Sequence, residues 1–103
     1  MQDKSYWVYI LYCDNNTYYT GYTNNLIKRF NAHVAGTAKC RYTQSFKPRY
    51  IAQSWEIKGP KALAMRIERE IKKLSRTQKE YLIHEPSALN ILDVKANLWM
   101  PVL

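Results

Sequence analysis

Apolar and β-branched residues concentrate in three stretches of this chain, each bounded by turn signals. Tyr6 to Cys13 is a continuous apolar and aromatic run, the pattern of a strand covered on both faces. Asp14-Asn15-Asn16 follows as a hairpin turn, because Asn and Asp tolerate left-handed backbone angles. Thr17 to Tyr22 reads as a second strand and Tyr50 to Ile57 as a third. Gly21, inside the second strand, marks either a bulge or the close approach of another backbone or a ligand.

Elsewhere the period changes to that of a helix. Asn24 or Asn25 can cap a helix that runs to about Val34, with Leu26, Phe30 and Val34 on one stripe and Gly36 as its stop. Gly59-Pro60 opens a second helix, with Leu63, Ile67, Ile71 and Leu74 as its buried stripe. Ser75 and Gln78 have the spacing of a capping box, so a third helix runs to about His84, where Pro86 ends it. Thr37 to Arg49 reads as a polar, basic loop. The predicted fold is α+β: a small three-stranded antiparallel sheet flanked by helices. The expected division is one domain over residues 1–86 and a tail over 87–103, which has apolar residues but weak periodicity.

With 103 residues the chain fits one domain. No stretch approaches the ~20 apolar residues of a membrane span. No secretory leader is visible, which gives a cytoplasmic expectation. Sixteen Lys and Arg against eight Asp and Glu leave a net charge of +8, which favours a polyanionic partner, nucleic acid above all. A membrane surface is disfavoured, since no helix is strongly basic on one face and bulky-apolar on the other. Cys13 and Cys40 make neither a disulfide framework nor a zinc site. Cys40 lies between Lys39 and Arg41, which could lower its pKa, but no motif supports a catalytic thiol.

The most informative feature is the order of a few polar groups. Trp7-Val8-Tyr9 and Tyr19-Thr20-Gly21 would lie on paired strands, which brings the phenols of Tyr9 and Tyr19 together. Arg29 and His33 then fall four residues apart on one helix and flank its apolar stripe. Taken singly, each residue has an ordinary reading: core tyrosines, a solvated arginine, a structural histidine. Lys39, Arg41, Tyr42, Thr43 and Lys47 lie in the basic loop, where cations could neutralise phosphates and Tyr42 could stack on a base.

In this order and spacing the chain resembles the GIY-YIG endonuclease superfamily, most closely its small single-domain bacterial branch. Val8-Tyr9 stands for the end of the first motif and Tyr19-Thr20-Gly21 for the second. Arg29 and His33 match the family's helix. Lys39 to Thr43 and Lys47-Pro48 match the branch's Lys-Tyr-Thr loop. Ala64 to Glu68, with Ile71-Lys72, matches the helix that bears the metal-binding glutamate. Trp7 replaces a glycine of the first motif and Thr20 an aliphatic residue of the second. Helical periodicity does not choose Glu68 over Glu70; the family spacing chooses Glu68. An asparagine that supports the site in the family could correspond to Asn90 or Asn97.

The resemblance implies phosphodiester hydrolysis in nucleic acid, with DNA favoured over RNA. Tyr9 is then the candidate general base, with Tyr19 positioning water or phosphate. Arg29 would hold the scissile phosphate, and His33 would either donate to the phosphate or assist proton transfer. Glu68 would bind one Mg²⁺ or Mn²⁺. The alternative is a nucleic-acid-binding module that keeps the fold without catalysis. No separate targeting domain is apparent, so specificity would be low, structure-based or supplied by a protein partner.

Overall fold

In the computed structural model, residues 5–93 and 98–99 are described. The elements run β1 (Ser5–Cys13), β2 (Thr17–Thr23), α1 (Leu26–Ala35), α2 (Arg41–Ser45), β3 (Pro48–Lys58), α3 (Lys61–Lys72) and α4 (Arg76–His84). A 3-10 turn over Pro86–Ile91 follows, and two short strands, β4 (Leu92–Asp93) and β5 (Leu98–Trp99), pair with each other. The main sheet is antiparallel in the order β2-β1-β3, so the most apolar strand is central.

The β1–β2 hairpin closes through a 3-10 turn in which Asn15 and Asn16 take φ values of 63° and 58°, conformations that asparagine adopts readily. Between β1 and β3 the register slips twice, so β3 carries two more residues than the strand it faces and extends beyond the sequence-based limits at both ends. Such bulges bend and twist the strand.

Alternate residues of β1 enter two different cores. Val8 and Ile10 join Ile57, Ala64, Ile67, Ile71, Leu74 and Leu82 beneath α3 and α4. Tyr9, Leu11 and Cys13 face the other way, against Leu26 and Phe30 of α1 and Tyr42 and Phe46 around α2. That period of two explains why a fully apolar run was needed: both faces of β1 are covered. Ala88 and Leu89 of the 3-10 turn also pack into the larger core.

Helix ends follow their capping signals. Asn25 accepts from the Lys28 N–H, and Gly36 closes α1 at φ 79°. Ser75 and Gln78 make both bonds of the capping box at the start of α4. Two expectations are corrected. The stretch from Thr37 to Arg49 is not all loop, because Arg41–Ser45 forms a helical turn whose Tyr42 and Thr43 pack inward. Val34 is 38% exposed and leaves the apolar stripe, while His33 is 1% exposed and takes the inner position. An imidazole can be buried there because both ring nitrogens find partners.

Candidate active site

The second, smaller core is also where the chemistry-bearing residues meet. Tyr9 sits in the middle of β1, opposite Gly21 of β2, and is 1% exposed. A Cβ at Gly21 would lie 2.6 Å from Tyr9 Oη and 2.7 Å from its Cζ, so only glycine leaves room for the phenol to cross β2. What comes close at this glycine is the Tyr9 side chain, where a backbone or a ligand was expected, and the β1–β2 register runs unbroken through it, without a bulge.

Tyr9 Oη lies 2.9 Å from His33 Nε2, and His33 Nδ1 lies 2.9 Å from Thr43 Oγ1. The Thr43 hydroxyl donates its one proton to the Cys40 carbonyl at 3.3 Å. It can then only accept from His33, so Nδ1 carries the imidazole proton. Nε2 is left as an acceptor and Tyr9 donates to it. Burial and the Arg29 charge lower His33 to about 4, which keeps the imidazole neutral near pH 7.

The phenols are held protonated at rest. Burial raises Tyr9 above its ordinary range; Arg29 opposes that rise and Glu68 adds to it. Tyr19 is raised further, by burial first and then by its contact with the Cys40 thiol. Burial would also raise Cys40, but surrounding donors, chiefly the Thr43 backbone N–H, outweigh it and bring the thiol below its ordinary value. The lowering foreseen for this thiol thus has a different origin from Lys39 and Arg41. Around these groups the rings of Tyr9, Tyr19, His33 and Tyr42 form a cluster with neighbouring centroids 5.3–6.4 Å apart.

Arg29 precedes His33 by one helical turn, and its charge reaches both Tyr9 and His33. It lines an open cleft of about 230 Å³ with Thr23, Asn24, Asn25, Lys28 and Ala32. Glu68 is 16% exposed and meets Lys72 at 3.4 Å, whereas Glu70, 19% exposed, meets Lys73 at 3.5 Å. Of the two, Glu68 has its charge within reach of Tyr9. Lys39, Arg41 and Lys47 are exposed. Tyr42 is half-buried against Tyr19 and Phe46. Thr43, expected among the loop's nucleic-acid contacts, is 3% exposed and its hydroxyl meets His33. The Asn90 side chain and Asn97 lie outside the described residues.

Two contacts at the site were not foreseen from the sequence. Thr43 was read as a surface contact, because nothing along the chain ties it to a histidine ten residues earlier. Cys40 was read through its basic neighbours, and no sequence signal links it to Tyr19.

The geometry has counterparts. The family model described as the GIY-YIG catalytic domain matches residues 5–81. The chain belongs to the GIY-YIG family. Within it, the similar proteins are UPF0213 proteins, a small single-domain group. UPF0213 protein BH0048 of Halalkalibacterium halodurans is 38% identical over 79 residues, spanning 77% of this chain and 82% of that one. UPF0213 protein VNG_2274C of Halobacterium salinarum is 43% identical over 75 residues, spanning 73% and 95%. The solution NMR structure of the UPF0213 protein BH0048 from Bacillus halodurans matches with a TM-score of 0.50 at 34% identity, covering 86% of this chain and 96% of that one. The α+β sheet-and-helix architecture is thus that of the group, and membership implies nuclease chemistry in general terms. Among the described residues, no helix is long and apolar enough to cross a membrane.

Proposed function

We propose that this chain is a metal-dependent endonuclease that hydrolyses phosphodiester bonds of nucleic acid, with DNA the preferred substrate. The observation that carries this reading is the buried 2.9 Å hydrogen bond between Tyr9 Oη and His33 Nε2. A phenol with an ordinary pKa near 10 is a weak base at neutral pH. A phenol that can pass its own proton to an imidazole as it takes one from water is a competent one.

In this reading Arg29 grips the scissile phosphate through two N–H donors. The phosphate offsets the guanidinium charge that helps to depress His33, so the imidazole accepts a proton more readily once substrate is bound. Tyr9 then takes the proton of the attacking water while its own proton moves to Nε2. Thr43 keeps the imidazole in the accepting tautomer, and Tyr19 orients water or phosphate. Lys39, Arg41 and Lys47 contact the backbone on either side, with Tyr42 at the edge of the site.

Glu68 fits a single divalent ion. It is a partly buried carboxylate whose lysine partner is 50% exposed and free to swing away. Among the described residues, no group of three or more His, Cys, Asp or Glu converges. One carboxylate completed by water and phosphate oxygens is a common arrangement for Mg²⁺, and Mn²⁺ accepts the same ligands. Such an ion would stabilise charge on the phosphate and the leaving oxygen.

The test is incubation of the purified protein with duplex, single-stranded, flapped and branched DNA and RNA, with Mg²⁺, with Mn²⁺ and with chelator. Metal-dependent cleavage of DNA substrates is expected. Binding without cleavage across the whole panel would leave a nucleic-acid-binding module instead.

A further inference from the structure

The sheet has a second aromatic row that the Tyr9–His33 site does not use. Tyr12 of β1 stands opposite Tyr18 of β2 on one side and Tyr50 of β3 on the other. The Tyr12 and Tyr50 rings are stacked, 5.1 Å apart at 27°, and Tyr12 and Tyr18 are 5.7 Å apart at 59°. Because side chains alternate along β1 and β2, this row lies on the face opposite Tyr9 and Tyr19, at the hairpin end. Tyr18 and Tyr19 are adjacent on β2, an edge strand, so the two aromatic groups are separated only by the sheet's thickness at that edge.

We propose that Tyr18, Tyr12 and Tyr50 form a stacking platform for a single-stranded segment of nucleic acid. A row placed only to cover apolar surface would be buried, but Tyr50 is 55% exposed. Cations frame it. Arg76 holds its guanidinium 4.7 Å over the Tyr18 ring, fixed by bonds of 2.6 and 2.8 Å to the Asn16 carbonyl and Oδ1 and by Glu80 at 3.2 Å, which also accepts from the Tyr18 hydroxyl. Arg49, beside Tyr50, is 65% exposed and oriented by Asp14 at 2.8 Å. Lys47, whose carbonyl accepts from the Asp14 N–H at this end of the sheet, has no carboxylate partner among the described residues. An exposed Tyr50 ring stacked on the half-buried Tyr12, with flanking guanidinium groups and a lysine, suits an unpaired base and its phosphates; a duplex keeps its base faces stacked on one another.

The proposal rests on nucleic acid being the ligand, but not on cleavage. The test is fluorescence anisotropy in chelator, at fixed salt, with a labelled oligothymidylate and with a blunt DNA hairpin duplex. Tyr50→Ala is expected to weaken oligothymidylate binding by about 5- to 100-fold and duplex binding by less than about twofold, with Tyr50→Trp close to wild type. A 5-iodouracil-substituted single strand should crosslink to the peptide that carries Tyr50 in the unaltered protein, a readout that needs no variant to fold. No crosslink there, or equal losses on both ligands, overturns the platform. If the unaltered protein binds the duplex but not the single strand, the platform fails and the reading of a nucleic-acid ligand stands. If it binds neither, both fail.

Discussion

His33 Nε2 lies 2.9 Å from Tyr9 Oη, and the ring's other nitrogen lies 2.9 Å from the Thr43 hydroxyl. A single proton assignment satisfies the three groups together, and it leaves Tyr9 donating to the free lone pair of the imidazole. The residues span the central strand, the first helix and the short helix that follows it, so the arrangement is a product of tertiary structure.

Thr43 sets the direction of that bond. Thr43→Val keeps the shape but removes the acceptor for Nδ1–H, leaving a buried donor unpaired at a cost of about 1–3 kcal/mol. With the tautomer no longer enforced, cleavage should fall about 10- to 100-fold, while Thr43→Ser restores most of it. Urea unfolding and single-turnover rates on the two variants check this. A Thr43→Val protein that loses stability but cleaves at the normal rate would confine Thr43 to a structural role.

His33 also makes stability depend on pH. Its folded value of about 4 lies below the ordinary 6.5 for imidazole. Below pH 6.5 the unfolded chain therefore takes up a proton that the folded chain refuses. The contribution is fully present above about pH 6.5 and is lost as pH falls toward 4. Each tenfold gap in proton affinity is worth ~1.4 kcal/mol. The stability advantage of wild type over His33→Gln should shrink between pH 7 and pH 4.5, as followed by chemical denaturation. A constant difference would mean that the folded ring takes up its proton as readily as the unfolded one.

Gly21 is expected to tolerate no side chain. Its missing Cβ is the space that Tyr9 occupies, and Tyr9 is pinned by His33 at its far end. Gly21→Ala should cost about 1–3 kcal/mol, as overpacking does. It should also slow cleavage at least tenfold by shifting the phenol. Thermal unfolding and activity on one preparation suffice, and an unaltered rate would show that the phenol's position is not critical.

Much of this fold can be read along the chain, and the reasons are local. Asn25, Gly36 and the Ser75–Gln78 box act through bonds within a few residues, so sequence spacing alone reveals them. The apolar run of β1 reveals a central strand because burial on both faces has no other solution. The errors came where distant groups decide. A polarity pattern favours Val34 over His33, yet His33 is buried because Tyr9 and Thr43, far apart in sequence, satisfy its nitrogens. The helix Arg41–Ser45 has no side-chain cap and only five residues, so it is held by packing that no local signal announces. Periodicity places Glu70 nearer the buried stripe than Glu68, yet both are partly buried and paired with a lysine. What separates them is proximity to Tyr9, which only the folded chain supplies.

That separation gives a metal test. Glu68→Gln removes the carboxylate charge but keeps the shape. It should abolish Mg²⁺-dependent cleavage and leave binding of uncleaved DNA in chelator within about twofold of wild type. Glu70→Gln should retain most activity. Titrating Mg²⁺ against rate for both variants decides the register; a Glu70→Gln protein that is dead beside an active Glu68→Gln would place the ion on the wrong carboxylate.

The most direct measurement is the single-turnover cleavage rate of Tyr9→Phe with saturating Mg²⁺, taken beside its affinity for uncleaved DNA. The ring and its packing remain, and only the hydroxyl bonded to His33 is lost. The rate should fall by about 10²- to 10⁴-fold, the range for losing a general base, with affinity unchanged. A Tyr9→Phe protein that is modestly less stable but cleaves at the wild-type rate would contradict the role assigned to this tyrosine.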